Sequence, residues 1–355
     1  VQVRESGVQR VGISIGMRVK VGAYRLYVVL ATLLGVVARR LTRGPRHERW
    51  DFRYEFAATL LRNMSQHVRA VPVPELRKYA LASQIPIALR SRVKHERGSF
   101  SGLYAETFTP EALRGARTLL YFHGGGYFLC SPATHRDLVS RLAHATAARS
   151  IAVEYRKAPE HPYPAAIDDC EQAYRTLLAE GVAPEEIILA GDSAGGGLAL
   201  AVLLRARDAG LPLPGSAVLL SPWCDLTRSG ASIASNAIYD YLSPEGLEFG
   251  TETYLQGHDP EHPHVSHVRA DLRGLPPLFV VTGEAELFYS ENIELVARAR
   301  AQGVSVTHLV EPGRVHVSAL LATLAPSAAS TFSHVEAFVA AQPGRVAARP
   351  AAAAG

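Results

Sequence analysis

The chain is 355 residues long, 48% hydrophobic and 20% charged, with a formal net charge of +4 and three cysteines. It is apolar enough to bury a large core, which excludes an intrinsically disordered chain, and too poor in cysteine for a disulfide scaffold. The positive excess comes largely from arginines near the N-terminus, and aromatics do not interleave them as a nucleic-acid groove requires, so no nucleic-acid partner is expected.

Residues 1–50 read as an apolar and basic N-terminal segment. Leu26 to Ala38 carries no charge and is flanked by Arg25 and by Arg39-Arg40. This run falls short of the ~20 residues a spanning helix needs, so the reading is a cap or interfacial helix, with a membrane anchor or a signal segment as alternatives. Met17 is the first methionine, and Arg18 and Lys20 then precede the apolar run as in a signal-peptide n-region. No Ala-x-Ala cleavage site follows, which argues against secretion. The expected location is cytoplasmic. Peripheral membrane contact through this segment and homodimerisation both stay open. Gly44 to Trp50 reads as a linker and residues 51–89 as cap helices.

Residues 90–225 and 271–342 read as one catalytic α/β unit. Antiparallel strands are expected over about 90–109, where Ser99 to Tyr104 includes turn residues. Thr118 to Phe122 is a buried-strand pattern running into His123-Gly124-Gly125-Gly126-Tyr127. Such a His-Gly-Gly-Gly loop aims backbone N–H groups, here those of Gly124 and Gly125, at one spot, while His123 shapes the loop. No Lys-Ser/Thr follows and the dinucleotide spacing is absent, which argues against a phosphate cradle. Strands near 150–155, 187–191, 217–221, 278–282 and 305–310 alternate with helical stretches near 136–148, 164–180, 194–209, 287–302 and 327–341. That alternation predicts a mostly parallel sheet with helices on both faces.

After the strand at Ile187 comes Ala190-Gly191-Asp192-Ser193-Ala194-Gly195-Gly196-Gly197 and then a helix-favouring run. A Gly-x-Ser-x-Gly turn between strand and helix presents its serine as a nucleophile, with the N–H of Ala194 as a third oxyanion donor. Asp168-Asp169 reads as a solvated or capping carboxylate pair. Residues 226–270 break the alternation and read as a cap insertion. Trp223, Tyr239, Tyr241, Phe249 and Tyr254 are candidates to line an acyl or alcohol pocket, as are Tyr127 and Asp192 beside the motifs. Packing between cap and core is the alternative for the cap aromatics. His258, His262, His264 and His267 crowd one segment, but their spacing fits no zinc pattern and Pro260 and Pro263 break any shared helix face, so no metal is expected. Cys130, Cys170 and Cys224 read as reduced thiols. Pro343 to Gly355 reads as a disordered tail.

Together the two glycine motifs resemble the hormone-sensitive-lipase family of α/β-hydrolases. The likeness runs from about residue 95 to 340. Tyr155-Arg156-Lys157-Ala158-Pro159-Glu160, Ser221-Pro222-Trp223-Cys224-Asp225 and Ala270-Asp271-Leu272-Arg273-Gly274-Leu275-Pro276 are further ordered matches. The resemblance implies an α/β-hydrolase fold, ester hydrolysis without a metal or organic cofactor, and a small ester substrate of short to medium acyl chain.

A triad in this fold follows the order serine, acid, histidine. Many members carry Asp-Pro-Leu after the penultimate strand, and this chain has Gly283-Glu284-Ala285-Glu286-Leu287 instead. Glu286 falls where some relatives carry Gly-x-x-Glu, and Glu284 is its rival. His316 follows the last strand, 30 residues after Glu286, and is preferred as base over His308 inside the strand. Amide hydrolysis, acyl transfer and deacetylation of bulky sterol esters would use the same residues. Non-catalytic receptors of the wider family lack the catalytic histidine.

Overall fold

The computed structural model describes residues 15–65, 71–82 and 92–342. The expected tail at 343–355, and the parts of the N-terminal and cap segments outside these ranges, lie beyond the described residues. The strands are β1 (Val93–Phe100), β2 (Leu103–Pro110), β3 (Thr118–Phe122), β4 (Arg149–Val153), β5 (Ile187–Asp192), β6 (Ser216–Leu220), β7 (Leu278–Gly283) and β8 (Val306–Glu311). They form one sheet in the order β1-β2-β4-β3-β5-β6-β7-β8. β1 pairs antiparallel with β2 and β2 with β4, and the remaining pairs are parallel.

Among the described residues ten α-helices accompany the sheet: α1 (Ile15–Arg43), α2 (Phe52–Ser65), α3 (Val73–Ala82), α4 (Arg136–Thr146), α5 (Ala165–Ala179), α6 (Ala194–Asp208), α7 (Ser232–Ser235), α8 (Pro244–Leu255), α9 (Tyr289–Ala301) and α10 (Ser330–Ala341). The central strands read as continuous apolar runs because both of their faces are covered. Leu120 and Phe122 of β3 pack with Ile187 and Leu189 of β5 in the core that holds α5, α6 and α9. Their alternates Leu119, Tyr121, Ile188 and Ala190 face the opposite core with α4 and α10. Side chains that alternate along a strand require this division.

The register places the site. Phe122 pairs with Gly191, Asp192 with Leu220, and Gly283 with Glu311. The loops that follow β3, β5, β6, β7 and β8 therefore leave the same edge of the sheet, the carboxyl edge where open α/β sheets bind ligands.

The N-terminal region departs from expectation in extent. The charge-free run is only the middle of α1, which continues through Arg43. The segment expected as a linker holds an anchor. Trp50 is buried and its indole donates to the Gly313 carbonyl at 2.5 Å. It sits with Tyr54, Ala57 and Ala58 of α2 against Val315, Leu321, Ala325 and Ala328, a third core cluster that joins the N-terminal helices to the segment after β8. Truncating a buried tryptophan costs about 3–5 kcal/mol. Trp50→Ala is thus expected to lower the thermal unfolding midpoint by several degrees in calorimetry. An unchanged midpoint would show that this cluster adds nothing to the fold.

Candidate active site

The turn between β5 and α6 carries Ser193 at φ 53° and ψ −124°, a conformation that L residues rarely adopt. It persists because the flanking backbone is packed to contact. A Cβ on Gly195 would be driven into the Phe122 carbonyl, and one on Gly191 into the Gly195 carbonyl. Ser193 N–H donates to the Leu220 carbonyl at 2.9 Å, and the Ser193 carbonyl accepts from Trp223 N–H at 2.9 Å and from Gly197 N–H at 3.1 Å. Ser193 therefore stands at the N-terminus of α6, whose first N–H groups and positive dipole end face the same space.

The structure gives Asp192 a different task from substrate contact. As Ser193 turns out of the sheet, Asp192 points the other way and is buried. Its carboxylate accepts from the Tyr121 hydroxyl, from Gly124 N–H at 2.8 Å, and from His135 Nε2 at 3.2 Å. Burial pushes this carboxyl up, but His135 and the Tyr121 and Gly124 donors outweigh burial and hold it below the usual range. Burial likewise pulls His135 down and Asp192 more than reverses that, so the imidazole stays protonated to a higher pH than usual. The expectation for Gly124 is corrected by the same bond: its N–H is spent on Asp192 and does not face an oxyanion. Gly124 is buried, whereas Gly125 and Gly126 are partly exposed at φ 112° and 62°. His123 is buried, stacks on Tyr155 at 4.3 Å and contacts the Gly124 carbonyl through Nδ1 at 2.7 Å.

On the other side of Ser193, the loops after β7 and β8 meet. Glu286 and His316 are both buried, and Glu286 Oε2 lies 3.6 Å from His316 Nδ1. The Ser221 hydroxyl donates to Glu286 Oε2 at 2.5 Å and accepts from Val317 N–H at 3.0 Å. Asn292 Nδ2 donates to Glu286 Oε1 at 3.1 Å. Glu284 is exposed and accepts from Gly313 N–H at 2.8 Å. His308 stays within β8, bonded to the Thr282 hydroxyl at 2.9 Å. The His316 ring lies edge-on to Phe288 at 4.8 Å. Neither of its nitrogens completes a hydrogen bond with a described residue. In unliganded sites catalytic hydrogen bonds are commonly long and tighten in the Michaelis complex.

A third carboxylate, Asp240 from the inserted segment, completes this side. It is buried and accepts from Leu287 N–H at 2.7 Å, Tyr241 N–H at 2.7 Å and His316 N–H at 3.3 Å. It holds the backbones of the Glu286 and His316 loops together but meets the His316 main chain, not the ring. Burial pushes its carboxyl up to about 6, against the pull of His316 and the Leu287 N–H. Asn236 adds bonds to the Glu284 and Glu286 carbonyls at 3.0 and 2.9 Å.

Other sequence candidates fall elsewhere. Tyr239 packs on His47 and Trp50, away from Ser193, and its neighbour Tyr241 stands 5.7 Å from the His316 ring. Tyr127 and Trp223 are almost fully buried. Tyr127 stacks on Tyr254 at 3.9 Å and Trp223 on Phe288 at 5.5 Å, so both support the site from within the core. Asp168 pairs with Arg205 while staying partly in solvent, and the more buried Asp169 pairs with Arg156. His267 is buried in the core, while His258 and His262 are exposed beside Tyr163.

Comparison with known proteins agrees with this fold. A family-wide pattern described as the alpha/beta hydrolase fold matches residues 119–320. The chain belongs to the α/β-hydrolases, in their hormone-sensitive-lipase branch. It is 45% identical over 207 residues to an acetyl-hydrolase of Streptomyces hygroscopicus, covering 58% of this chain and 69% of that one. An esterase of Acinetobacter venetianus is 38% identical over 208 residues, covering 58% and 68%. Among solved structures, an esterase of the bacterial hormone-sensitive lipase family superposes with a TM-score of 0.79 at 34% identity, covering 83% of this chain and 99% of the other. This hydrolase is thus a serine-type ester hydrolase by descent.

Two outcomes follow from the carboxylates. Glu286→Gln is expected to lower kcat by on the order of a thousandfold, as loss of an orienting acid does, while the exposed Glu284→Gln should change it less than about threefold. The reverse pattern in steady-state rates would move the acid to Glu284. The Asp192–His135 pair should leave a pH signature. Stabilisation from the raised imidazole is complete below its ordinary value of about 6.5 and is lost as pH rises through the higher folded value. That from the lowered carboxyl is present above about 4 and is lost as pH falls through the folded value. The unfolding midpoint should therefore fall as pH rises above about 6.5, by an amount that His135→Gln abolishes, because glutamine keeps a donor but no titrating charge. Parallel curves for the two proteins would refute the charged pair.

Proposed function

We propose that this hydrolase cleaves carboxylic esters of short to medium acyl chain through an acyl-enzyme on Ser193, with His316 as base and Glu286 as the acid that orients it. The observation that carries this reading is the buried Glu286 carboxylate 3.6 Å from His316 Nδ1, beside the strained Ser193 turn. Glu284 and Asp240 offer no comparable contact with the ring. The likeness to an acetyl-hydrolase supports a short acyl group.

In this reading Ser193 Oγ attacks the ester carbonyl carbon as its proton passes to His316 Nε2. Glu286 stabilises the resulting imidazolium and keeps the ring oriented. The carbonyl oxygen gains negative charge in front of the N–H groups of Gly125, Gly126 and Ala194, with Gly126 in the place expected for Gly124. Loss of one such donor typically raises the barrier by about 2.7–4 kcal/mol. His316 returns the proton to the departing alkoxide, giving the alcohol and acyl-Ser193. It then deprotonates a water that attacks the acyl carbonyl, and collapse of the second tetrahedral intermediate frees the carboxylic acid and restores the serine.

Initial rates on p-nitrophenyl esters from acetate to palmitate test this. Turnover should peak at a short or medium chain and fall by on the order of a thousandfold or more in Ser193→Ala. A peak at palmitate would overturn the chain-length reading, and a Ser193→Ala enzyme with undiminished turnover would overturn the nucleophile.

A further inference from the structure

α1 presents an unusual surface. Among the described side chains of α1, Val28, Thr32 and Val36, spaced by four, are the ones buried against the body, with Thr32 held by Asn63 of α2 at 2.9 Å. Residues three or four apart share one face of a helix, so a single narrow stripe is docked. The rest of the charge-free run faces solvent and is apolar: Leu26 is 61% exposed, Tyr27 67%, Leu30 48% and Leu34 69%, and Leu41 beyond it is 83% exposed. An apolar surface this continuous on a folded protein marks a contact site.

Charge identifies what covers it. The helix has no Asp or Glu in 29 residues. Arg18, Lys20 and Arg25 precede the apolar run and Arg39, Arg40 and Arg43 follow it. Arg40 is bonded to the buried Glu55 carboxylate at 2.6 Å and Arg39 is 3.8 Å from the same group. Arg43 is exposed at the end of the helix. Basic groups at both ends of an apolar belt complement anionic headgroups above an acyl layer. Leu26, Leu30 and Leu34, spaced by four, form with Leu33 one apolar face opposite the docked stripe. A second copy on that face would set two acid-free helices with basic ends against each other, whereas anionic headgroups complement them. Crossing the bilayer does not fit. The charge-free run is about 20 Å long at 1.5 Å per residue, against ~30 Å of hydrocarbon, and among the described residues no helix is long and apolar enough to cross.

We infer that α1 is a membrane-surface anchor that lies along an anionic phospholipid bilayer and holds the α/β body against it. The anchor is independent of the catalytic assignment, since lipid contact and turnover are read separately.

The test is co-sedimentation of the full chain with vesicles of phosphatidylcholine alone or with a third of the lipid replaced by phosphatidylglycerol. Leu30→Glu/Leu34→Glu serves as the variant, because both side chains face solvent. Partitioning onto the anionic vesicles should exceed that onto neutral ones by about tenfold or more, weaken with added salt, and be lost in the double variant while its rate on a soluble short ester is unchanged. Failure to sediment with anionic vesicles overturns the proposal. So does equal binding by the double variant, which would place the lipid contact elsewhere. A concentration-dependent dimer that the variant abolishes, without lipid binding, would assign the surface to a second copy instead.

Discussion

The conformation of Ser193 is the constraint on which the site depends. A residue at φ 53° and ψ −124° is held there only if its surroundings allow no relaxation. Here β5 enters the turn beside β3 and leaves it as α6, and the approach is so close that side chains at Gly191 and Gly195 would collide with backbone. The turn is locked from outside by the Leu220 carbonyl and by Trp223 N–H. Strand register, glycine placement and helix start are thus one requirement. The chain must bring Phe122 level with Gly191 before Ser193 can stand clear of the sheet.

Two buried carboxylates extend that order to either side. Asp192 draws Gly124 N–H toward the sheet and fixes the start of the glycine loop. Asp240 gathers Leu287 and His316 N–H groups and keeps the Glu286 and His316 loops together. A buried anion is costly unless several donors meet it, and each of these has three. The same low dielectric that makes an unpaired carboxylate expensive makes these bonds strong. Each loop is therefore held by a group that would itself be destabilised if the loop moved.

Much of this was legible in the residues. Long apolar runs between helical stretches marked the six expected parallel-sheet strands to within a residue or two, because strands buried on both faces must be apolar throughout. The serine turn and the glycine loop were legible because close backbone approach demands glycine. What escaped were the polar residues that hydrogen-bond groups on other loops and elements. Ser221, Asn292, His135 and Asp240 carry no periodic signal, and they reach Glu286, Glu286, Asp192 and the Leu287 and His316 N–H groups respectively. Asp192 was visible but misread. Adjacency to Ser193 suggested a shared pocket, whereas neighbours at a strand end point to opposite sides. Glu284 and Glu286 could not be separated by pattern, since which of them turns inward depends on the packing of Phe288 and Leu287 beneath the loop.

The N-terminal helices then belong to the construction of the site as well as to its periphery. Arg62 of α2 donates to the carbonyls of Ala237 and Asp240, and Ser65 donates to that of Tyr241 at 2.6 Å. Arg46 bonds the Ile238 carbonyl at 3.0 Å. These contacts clamp the short segment whose Asn236 and Asp240 hold Glu286, Leu287 and His316. Trp50 and Tyr54 reach the same loops from below, through the Gly313 carbonyl and Val315 N–H. A displacement of α2 would therefore reach Glu286 and His316 through two or three hydrogen bonds in series. The helix that packs α1 against the body thus also sets the position of the His316 backbone, so the outer N-terminal helix and the loops at the carboxyl edge of the sheet are joined through one element.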